Sequence, residues 1–411
     1  MQAGKPLLLT TGHWPLKNLP TSSMPTIGEI FLEFLHLGAT AFGGLAMIEP
    51  IRRRVVLQKK WLTQGDFLDG LALCQLLPGA TVVQLATYVG QRLQGVRGAL
   101  AAAGAFILPA FVLMLALSFL YFRYGGLPWV QAVSRGLGAA VIALLAQTIW
   151  HLGKAVRGHW LDPAIAVLAF LALLLKVNYL LVLLAAVVIR SFLGPRLDLS
   201  GKNPGQPPPG TGTFPGSILV QALMMTLGLA GVIYGLFHLD RVLGQLALIF
   251  TKIGIISFGG GYVMIPILQW DVVDHLQWLT LRQFLDGILL SYITPGPLLI
   301  LSAFVGFCLQ GLPGALAATT AVFLPPTLMV IWLTPFYQRI KEATWMRPVI
   351  RGILAALVGF LALVLLQMGR AAITDLKTLS IMLASAAALI ILEINLLWVI
   401  AAAAAVSLVI F

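Results

Sequence analysis

The second half of this chain repeats its first half. With an offset of 216 or 217 residues, 10 of the 19 positions from Trp61 to Gly79 are identical to those from Trp278 to Gly296. Other identical pairs at this offset are Gly43-Gly44 with Gly259-Gly260, Pro109 with Pro325, and Arg135-Gly136 with Arg351-Gly352. The chain therefore contains two copies of one structural unit, each interrupted by Pro-Gly at the same place.

The repeat predicts four parts. Residues 1–27 form an N-terminal tail, 28–195 the first copy, 196–243 a Pro- and Gly-rich linker with a connecting transmembrane helix, and 244–411 the second copy. The tail has no apolar run beyond PLLL, so we expect no cleavable signal peptide. The linker composition is typical of chain that forms no packed element.

Composition places both copies in a membrane. Charged residues make up only 10% of the chain, against about 25% in a soluble domain. Apolar stretches long enough to cross about 30 Å of hydrocarbon lie near 98–122, 132–152, 161–192, 217–237, 314–333, 350–368 and 378–411. Two of them are long enough for helical hairpins, with turns at Lys176–Asn178 and Glu393–Asn395. We expect an all-α, multi-pass membrane protein with about 11 to 13 hydrophobic segments, counting the broken ones.

Charge and cysteine content exclude other classes. The net charge of +12 is typical of cytoplasmic loops in a membrane protein, so we expect lipid and not nucleic acid as the partner. Cys74 and Cys308 each lie alone in an apolar segment, so no disulfide, metal or other cofactor is predicted. The motifs His-Glu-x-x-His and Gly-x-Ser-x-Gly are absent, and an enzyme is not expected.

Loop charges predict that the two copies have inverted topology. The loop from 52 to 60 has five Lys and Arg residues, whereas the equivalent stretch between Ile265 and Leu281 has Asp271, Asp274 and no Lys or Arg. Positive loops face the cytoplasm, so equivalent loops lie on opposite sides. A single connecting helix between two copies that each cross an even number of times produces this inversion.

The Pro-Gly segments predict short helices that end inside the membrane. Thr63 and Thr280 start them as N-caps, and the roughly 14 residues to Pro78 reach only about 21 Å at 1.5 Å per residue. Both flanks of the segment are basic in the first copy and lack basic residues in the second. This pattern favours a re-entrant hairpin over a crossing helix, although a crossing stays open. One isolated break is more often a packed kink, but matched breaks in an inverted repeat favour a central functional site.

Broken helices leave backbone groups that need a polar cavity, and a helix N-terminus binds anions. The predicted substrate-binding residues combine these breaks with two basic positions seven residues before the glycine pairs: Gly43, Gly44, Pro78, Gly79, Gly259, Gly260, Pro295, Gly296, Pro297, His36 and Lys252. The proton-coupling candidates are the acidic residues Glu33, Asp69 and Asp286. The alternatives are interfacial snorkelling for the two basic residues and structural hydrogen bonding for the aspartates. Arg135 and Arg351 are either interfacial anchors or countercharges.

The motifs AFGGLAMIEP with CQLLPG, and SFGGGYVMIP with SYITPGP, resemble the two domains of the chromate ion transporter (CHR) family, long-chain type. The resemblance covers nearly the whole chain. It implies a plasma-membrane secondary transporter of tetrahedral oxyanions that exports chromate, with coupling to the proton motive force. It also assigns the paired glycines and the Pro-Gly residues to the family motifs. Leu45, Ile48 and Ala80 depart from the usual pattern, which leaves the choice of oxyanion open.

Several functions stay open beside chromate efflux. A dianion leaving a cell that is negative inside gains about 2.3 kcal/mol per charge per 100 mV, so efflux is electrically downhill and sulfate import would require protons. Sulfate or other anion uptake by proton symport is therefore one alternative, and an anion channel is another. A homodimer is a candidate assembly. We expect the transport cycle to be alternating access, with one repeat moving against the other.

Overall fold

The computed structural model describes residues 24–40, 47–156, 159–197, 216–257, 261, 264–334 and 346–411. Over these residues it is helical without strands, which confirms the all-α prediction. The first repeat contains α1 Ile27–Thr40, α2 Ile48–Arg52, α3 Gln64–Leu76, α4 Thr81–Tyr124, α5 Pro128–Val156, α6 Leu161–Leu174 and α7 Tyr179–Leu197. The connecting helix is α8 Gly216–Leu239. The second repeat contains α9 Arg241–Ile256, α10 Met264–Gln269, α11 Leu281–Ile293, α12 Leu301–Leu333, α13 Met346–Ala372, α14 Leu376–Ala386 and α15 Leu396–Ile410.

The backbone irregularities recur at equivalent positions in the two repeats. A π-helical turn follows α2 at Arg53–Gln58 and α10 at Trp270–His275. Left-handed φ angles occur at Lys60 and its equivalent Gln277. The predicted hairpin turns are present, with left-handed Lys176 between α6 and α7 and left-handed Glu393 between α14 and α15. Unusual conformations at matched positions show that the sequence repeat is also a structural one.

Within the described part of the chain, four helices are long and apolar enough to cross a membrane by length and composition: Thr81–Tyr124, Pro128–Lys154, Leu298–Leu333 and Pro348–Ala372. Large apolar side chains on α4, α6, α7, α8 and α15 are exposed, among them Phe119, Leu168, Leu181, Tyr234 and Trp398. In water such a surface would be costly, but in a bilayer it contacts lipid. The helices therefore form the multi-pass membrane protein that the composition predicts.

The two long helices α4 and α12 begin earlier than the apolar pattern predicts, and each has an internal break. Gln94-Gly95 and Gln310-Gly311 have nearly identical non-helical φ and ψ angles. In each case the glycine is left-handed, a conformation that suits glycine because it has no Cβ. The segments before the breaks, 81–94 and 301–310, therefore belong to the short broken helices, and the segments after them are the spanning parts.

Some helices pack within their own repeat, and others pack against helices of the other repeat. Helices α1 and α9 pack against α4 and α12, respectively, and α4 and α12 pack against each other. In contrast, α5 packs against α14 and α15 of the second repeat, and α13 packs against α6 and α7 of the first. Close backbone approach at small residues permits this packing: a methyl group added at Gly38 would lie 2.3 Å from the Phe106 carbonyl oxygen, and one at Gly254 would lie 2.4 Å from that of Val322.

Candidate functional site

The first Pro-Gly segment is the tip of an antiparallel helical hairpin formed by α3 and residues 81–94. The Tyr88 hydroxyl donates to the Asp66 carbonyl oxygen at 3.2 Å, and the Arg92 guanidinium lies 3.0 Å from the Asp66 carboxylate. The start of α3 therefore lies beside the end of 81–94, and the base of the hairpin is closed by an ion pair. Thr63 caps α3 by accepting from the Asp66 backbone N–H at 3.1 Å, as the sequence predicts.

The second Pro-Gly segment forms the equivalent hairpin from α11, a 3₁₀ turn at Leu298–Ile300 and residues 301–310. Thr280 and Gln283 make a reciprocal capping box at the start of α11. A methyl group added at Gly287 would overlap the Phe304 ring, at 2.5 Å. Close packing at this glycine holds the two arms together. The equivalent contact in the first hairpin is between Gly70 and the Tyr88 ring.

The two hairpins open at opposite ends of the molecule. The first opens where the spanning part of α4 begins, because Gly90 on its second arm lies against the Gly98 backbone. The second opens where α4 ends, because the Tyr121 hydroxyl donates to the Asp286 carboxylate at 2.8 Å. Two hairpins of the same sequence pattern thus enter the protein from opposite directions.

Each hairpin tip packs against the long helix of the other repeat. Gly79 has a φ of +125°, and a methyl group there would lie 2.3 Å from the Cβ of Pro326 on α12. Gly296 has a φ of +114°, and a methyl group there would lie 2.7 Å from the Cβ of Ala110 on α4. Ala110 and Pro326 are equivalent positions of the repeat. The backbone conformation and the close approach both require glycine at the tips.

A third discontinuity lies beside both tips. The backbone N–H of Gly79 donates to the carbonyl of Ser257, the residue after α9, at 2.5 Å. Gly261, with a φ of +88°, lies against Leu299 of the second tip. The predicted site residues Gly43, Gly44, Gly259 and Gly260 fall outside the described residues. The structure therefore brings Pro78-Gly79 and Pro295-Gly296-Pro297 to the same break after α9.

Two fully buried side chains at the first tip have polar atoms without a partner. Gln84 donates from its amide nitrogen to the Pro78 carbonyl at 2.6 Å, but its amide oxygen and the Ser257 hydroxyl have no hydrogen-bond partner among the described residues. A buried polar atom without a hydrogen bond is costly, so these two atoms are candidates for contact with a polar ligand. The hydroxyl can donate to an oxyanion, and the amide oxygen can accept from water or from a protonated oxyanion.

Sequence reasoning missed both residues. Their signal is a polar residue within an apolar run, as in VVQLA around Gln84 and IISFGG around Ser257. The first-turn N–H groups of α4, which starts at Thr81, lie next to the same tip. Helix N-termini favour anions through their dipole and free N–H groups. Backbone donors, a hydroxyl and an amide together suit a small oxyanion.

Glu33, a predicted proton carrier on α1, is engaged by two cations. Its carboxylate is hydrogen-bonded to Arg54 and lies 2.7 Å from the Lys59 ammonium. Both cations come from the basic loop after α2. Two adjacent positive charges favour the ionised carboxylate, so the observed contacts describe a structural ion pair, and proton transfer by Glu33 stays a prediction.

The two predicted basic residues, His36 and Lys252, have different environments in the structure. The Lys252 ammonium lies 2.6 Å from the Asp271 carboxylate and 5.4 Å from the centre of the Tyr179 ring. His36 is exposed on α1, and its carbonyl accepts from the Thr40 hydroxyl. Lys252 is therefore neutralised by a carboxylate, and a direct role of either residue in anion binding stays a prediction.

The equivalent aspartates also differ. Asp69 is half-buried on α3, whereas Asp286 on α11 is only 6% exposed and accepts from Tyr121 of the other repeat. Asp286 is thus the acidic candidate most shielded from solvent.

A further ion pair that the sequence did not indicate joins Asp162 of α6 to Arg190 of α7 at 2.7 Å, with both side chains buried.

Comparison with known proteins gives one family. The chromate transporter family model matches residues 28–190 and 244–408. A chromate transport protein of Cupriavidus metallidurans is 31% identical, with 93% of this chain and 91% of the relative covered. A probable chromate transport protein of Synechococcus elongatus is 32% identical over 84% of this chain and 85% of its own. An uncharacterised transporter of Methanocaldococcus jannaschii is 32% identical over 84% of each chain. No solved structure matches this chain.

Proposed function

This chain belongs to the chromate transporter family, and we propose that it is a secondary transporter that exports chromate from the cell by alternating access. The family supports chromate as the transported anion. Efflux, the driving force and the transport cycle are our proposals, together with the location in the inner or plasma membrane.

The observation that carries this proposal is the meeting of two hairpin tips from opposite ends of the molecule. Each tip ends inside the helix bundle and packs on the long helix of the other repeat, at Pro326 and Ala110. A site built this way has a route along one hairpin to each side of the membrane. In alternating access, only one route is open at a time.

The unpaired groups at the first tip favour an oxyanion as the substrate. The Ser257 hydroxyl and the N–H groups at the start of α4 supply donors without a fixed positive charge. We infer that a dianion bound by such neutral donors is held strongly enough to be selected and weakly enough to be released. The residues proposed to bind it are Pro78, Gly79, Pro295, Gly296 and Pro297, with Gln84 and Ser257 added from the structure.

Electrostatics favour the direction of export. A dianion that leaves a cell negative inside moves down the electrical gradient by about 2.3 kcal/mol per charge per 100 mV. The membrane potential then drives export without further coupling, and proton exchange at Asp286 would add to it. Sulfate, which has the same tetrahedral shape and charge, is the expected competitor.

Proton-coupled sulfate import is the second candidate. The observation that favours it is the buried Asp286, because uphill import of a dianion needs protons and a carboxylate shielded from water is suited to carry them. The two candidates differ in the gradient that drives net flux.

The test is uptake of labelled chromate into inside-out vesicles that contain the protein, with a membrane potential and a proton gradient imposed separately. We expect saturable accumulation driven by an interior-positive potential and inhibited by sulfate. Accumulation that requires the proton gradient and runs only in right-side-out vesicles would replace export by proton symport. No protein-dependent flux in either orientation, with folded protein verified, would reject the proposal.

A further inference from the structure

A polar cavity lies between α5, α11 and α13, away from the hairpin tips. Its volume is about 300 Å³. The polar residues of its wall are Ser134 and Arg135 from α5, Arg282 and Asp286 from α11, and Thr374 just after α13. Charged groups from two helices thus line one partly open cavity that the proposed tip site does not include.

The cavity lies at the end of the molecule where the second hairpin opens. Its wall includes the start of α11 and the end of α13, and Asp286 is tied to Tyr121 at the end of α4. The basic loop from 52 to 60 precedes the first hairpin, which opens at the other end of the spanning part of α4. By the positive-inside rule, the cavity faces the external side.

Arg135 and Arg282 make this cavity positive. Among the described residues, neither forms an ion pair with a carboxylate within 4 Å. The guanidinium carbon of Arg135 lies 5.9 Å from the centre of the Phe411 ring. Asp286 lies one helical turn from Arg282 in the same wall. Two guanidinium groups with no carboxylate at ion-pair distance among the described residues are suited to bind an oxyanion.

The position of Arg282 near the start of α11 does not favour helix stability. It is the second residue of α11, where the helix dipole favours an acidic side chain and disfavours a basic one. The equivalent residue in the first repeat is Gly65. The arginine is therefore particular to this hairpin, and an anion bound in the cavity would offset its unfavourable position.

Asp286 controls the charge of the cavity. It is 6% exposed and accepts a hydrogen bond from Tyr121 on α4. The other charged or titratable groups around it are Arg282 on its own helix, Arg135 on α5 and the Cys308 thiol on α12, which is close to Tyr121. An ionised carboxylate beside the cavity repels a bound dianion, and a neutral carboxyl group does not.

We propose that this cavity is a second anion site, an external vestibule in which Arg135 and Arg282 hold a tetrahedral dianion when Asp286 has taken up a proton from solvent. The inference rests on the proposed oxyanion transport and deepens it. One proton is bound at Asp286 for each dianion bound in the vestibule, and it is released to solvent when the dianion leaves. Anion occupancy on the external side is thereby coupled to external pH.

The test uses the prediction that the vestibule faces only the external side of the membrane. Labelled sulfate flux is measured in vesicles of both orientations for Arg135→Gln and Arg282→Gln. Each variant loses one charged hydrogen-bonding partner, so we expect the half-saturating sulfate concentration to rise by about tenfold from the external side. From the internal side it should stay unchanged. Arg351→Gln, which removes the equivalent arginine of the second repeat, is the matched control and should change the external value by less than about twofold.

The proton is tested in the same vesicles. In the wild type, the half-saturating sulfate concentration on the external side should fall as the external pH is lowered. This pH dependence should disappear in Asp286→Asn. Arg282→Lys keeps the charge and should retain most of the external affinity, which separates loss of charge from misfolding. If both Arg→Gln variants match Arg351→Gln on both sides, or if Asp286→Asn keeps the pH dependence, the vestibule is rejected although oxyanion transport stands. Absence of wild-type flux of both sulfate and chromate would instead reject the proposed function itself.

Discussion

The two hairpins share a backbone but differ in what holds their bases. The first is closed within itself, because Arg92 on one arm pairs with Asp66 on the other. The second has no such ion pair among the described residues, and its Asp286 is bound by Tyr121 of the opposite repeat. Both hairpins also contact the long helix of the other repeat, because Gln91 of the first donates to the Ile331 carbonyl at 2.7 Å and Asp286 of the second accepts from Tyr121. The hairpins therefore differ in the ion pair between their own arms and not in contact with the other repeat.

A similar contrast is seen at the first helix of each repeat. In the first, the acid Glu33 lies on α1 and the bases Arg54 and Lys59 follow α2. In the second, the base Lys252 lies on α9 and the acid Asp271 follows α10. The ion pair is kept while its charges are reversed. The predicted inversion of the second repeat accounts for this reversal, because it would place the basic loop after α2 on the cytoplasmic side and the loop after α10 on the other side.

The largest effect is expected from alanine at the tips. Gly79→Ala and Gly296→Ala each place a Cβ at a left-handed φ and against the other repeat, with a strain of about 1–3 kcal/mol from the backbone alone. We expect transport to fall by about tenfold to a hundredfold for such a cost. Gly153→Ala, where nothing lies within 4 Å, is the control.

The tips also differ in how they can be rescued. Ala110→Gly removes the atom that Gly296→Ala would strike, so the double variant should regain part of its flux. The same Ala110→Gly change should not improve Gly79→Ala, whose neighbour is Pro326. Equal rescue of both tips, or of neither, would contradict the cross-packing of tips and long helices.

The next effect concerns the link between the repeats. Tyr121→Phe removes the hydroxyl that donates to buried Asp286, and an unsatisfied buried acceptor costs about 1–3 kcal/mol. Thermal unfolding in detergent should show this loss of stability. In a double-mutant cycle, the cost of Tyr121→Phe should be smaller in the Asp286→Asn background. Additive effects of the two substitutions would show that the contact does not couple them.

A smaller effect is expected at the base of the first hairpin. The Arg92 and Asp66 side chains are 16% and 31% exposed, so the pair should contribute at most about 1 kcal/mol. Arg92→Gln should lower thermal stability slightly, and the exchange of both charges should restore it. A large loss of transport from Arg92→Gln would show that this ion pair does more than stabilise the hairpin.

The smallest expected difference is at the helix caps. Thr63→Ala and Thr280→Ala should each cost about 1 kcal/mol of stability, because each threonine accepts a backbone N–H in the first turn. Thr63→Ser and Thr280→Ser should retain the caps. A cost at only one site, measured by thermal unfolding, would show that the two short helices are not equivalent.

The fold was predictable where local sequence determines it. Thr63 and Thr280 as caps, the Pro-Gly breaks and the hairpin turn at Lys176 all follow from residues that are adjacent in sequence. The breaks at Gln94-Gly95 and Gln310-Gly311 lie just before the apolar stretches that begin near 98 and 314, where the sequence predicts a loop. The conformation of that loop was not predictable, because a single glycine does not specify a turn by itself.

The site was only partly predictable for a physical reason. Pro78-Gly79 and Pro295-Gly296 were identified from their pattern, but Ser257 and Gln84 matter because tertiary packing leaves their atoms unpaired. The bond between Tyr121 and Asp286 joins residues 165 apart in sequence. Likewise, the neutralisation of Lys252 depends on the position of a carboxylate that follows another helix.

The central claim is that both tips belong to one anion site. Thr81 and Leu298 are equivalent residues that follow the two breaks. In a background with Cys74→Ala and Cys308→Ala, each is replaced by cysteine, and its rate of reaction with a small thiol reagent is measured as chromate or sulfate is added. We predict that one anion slows both reactions with the same half-maximal concentration. Protection of only one cysteine, or of neither, would contradict a shared site.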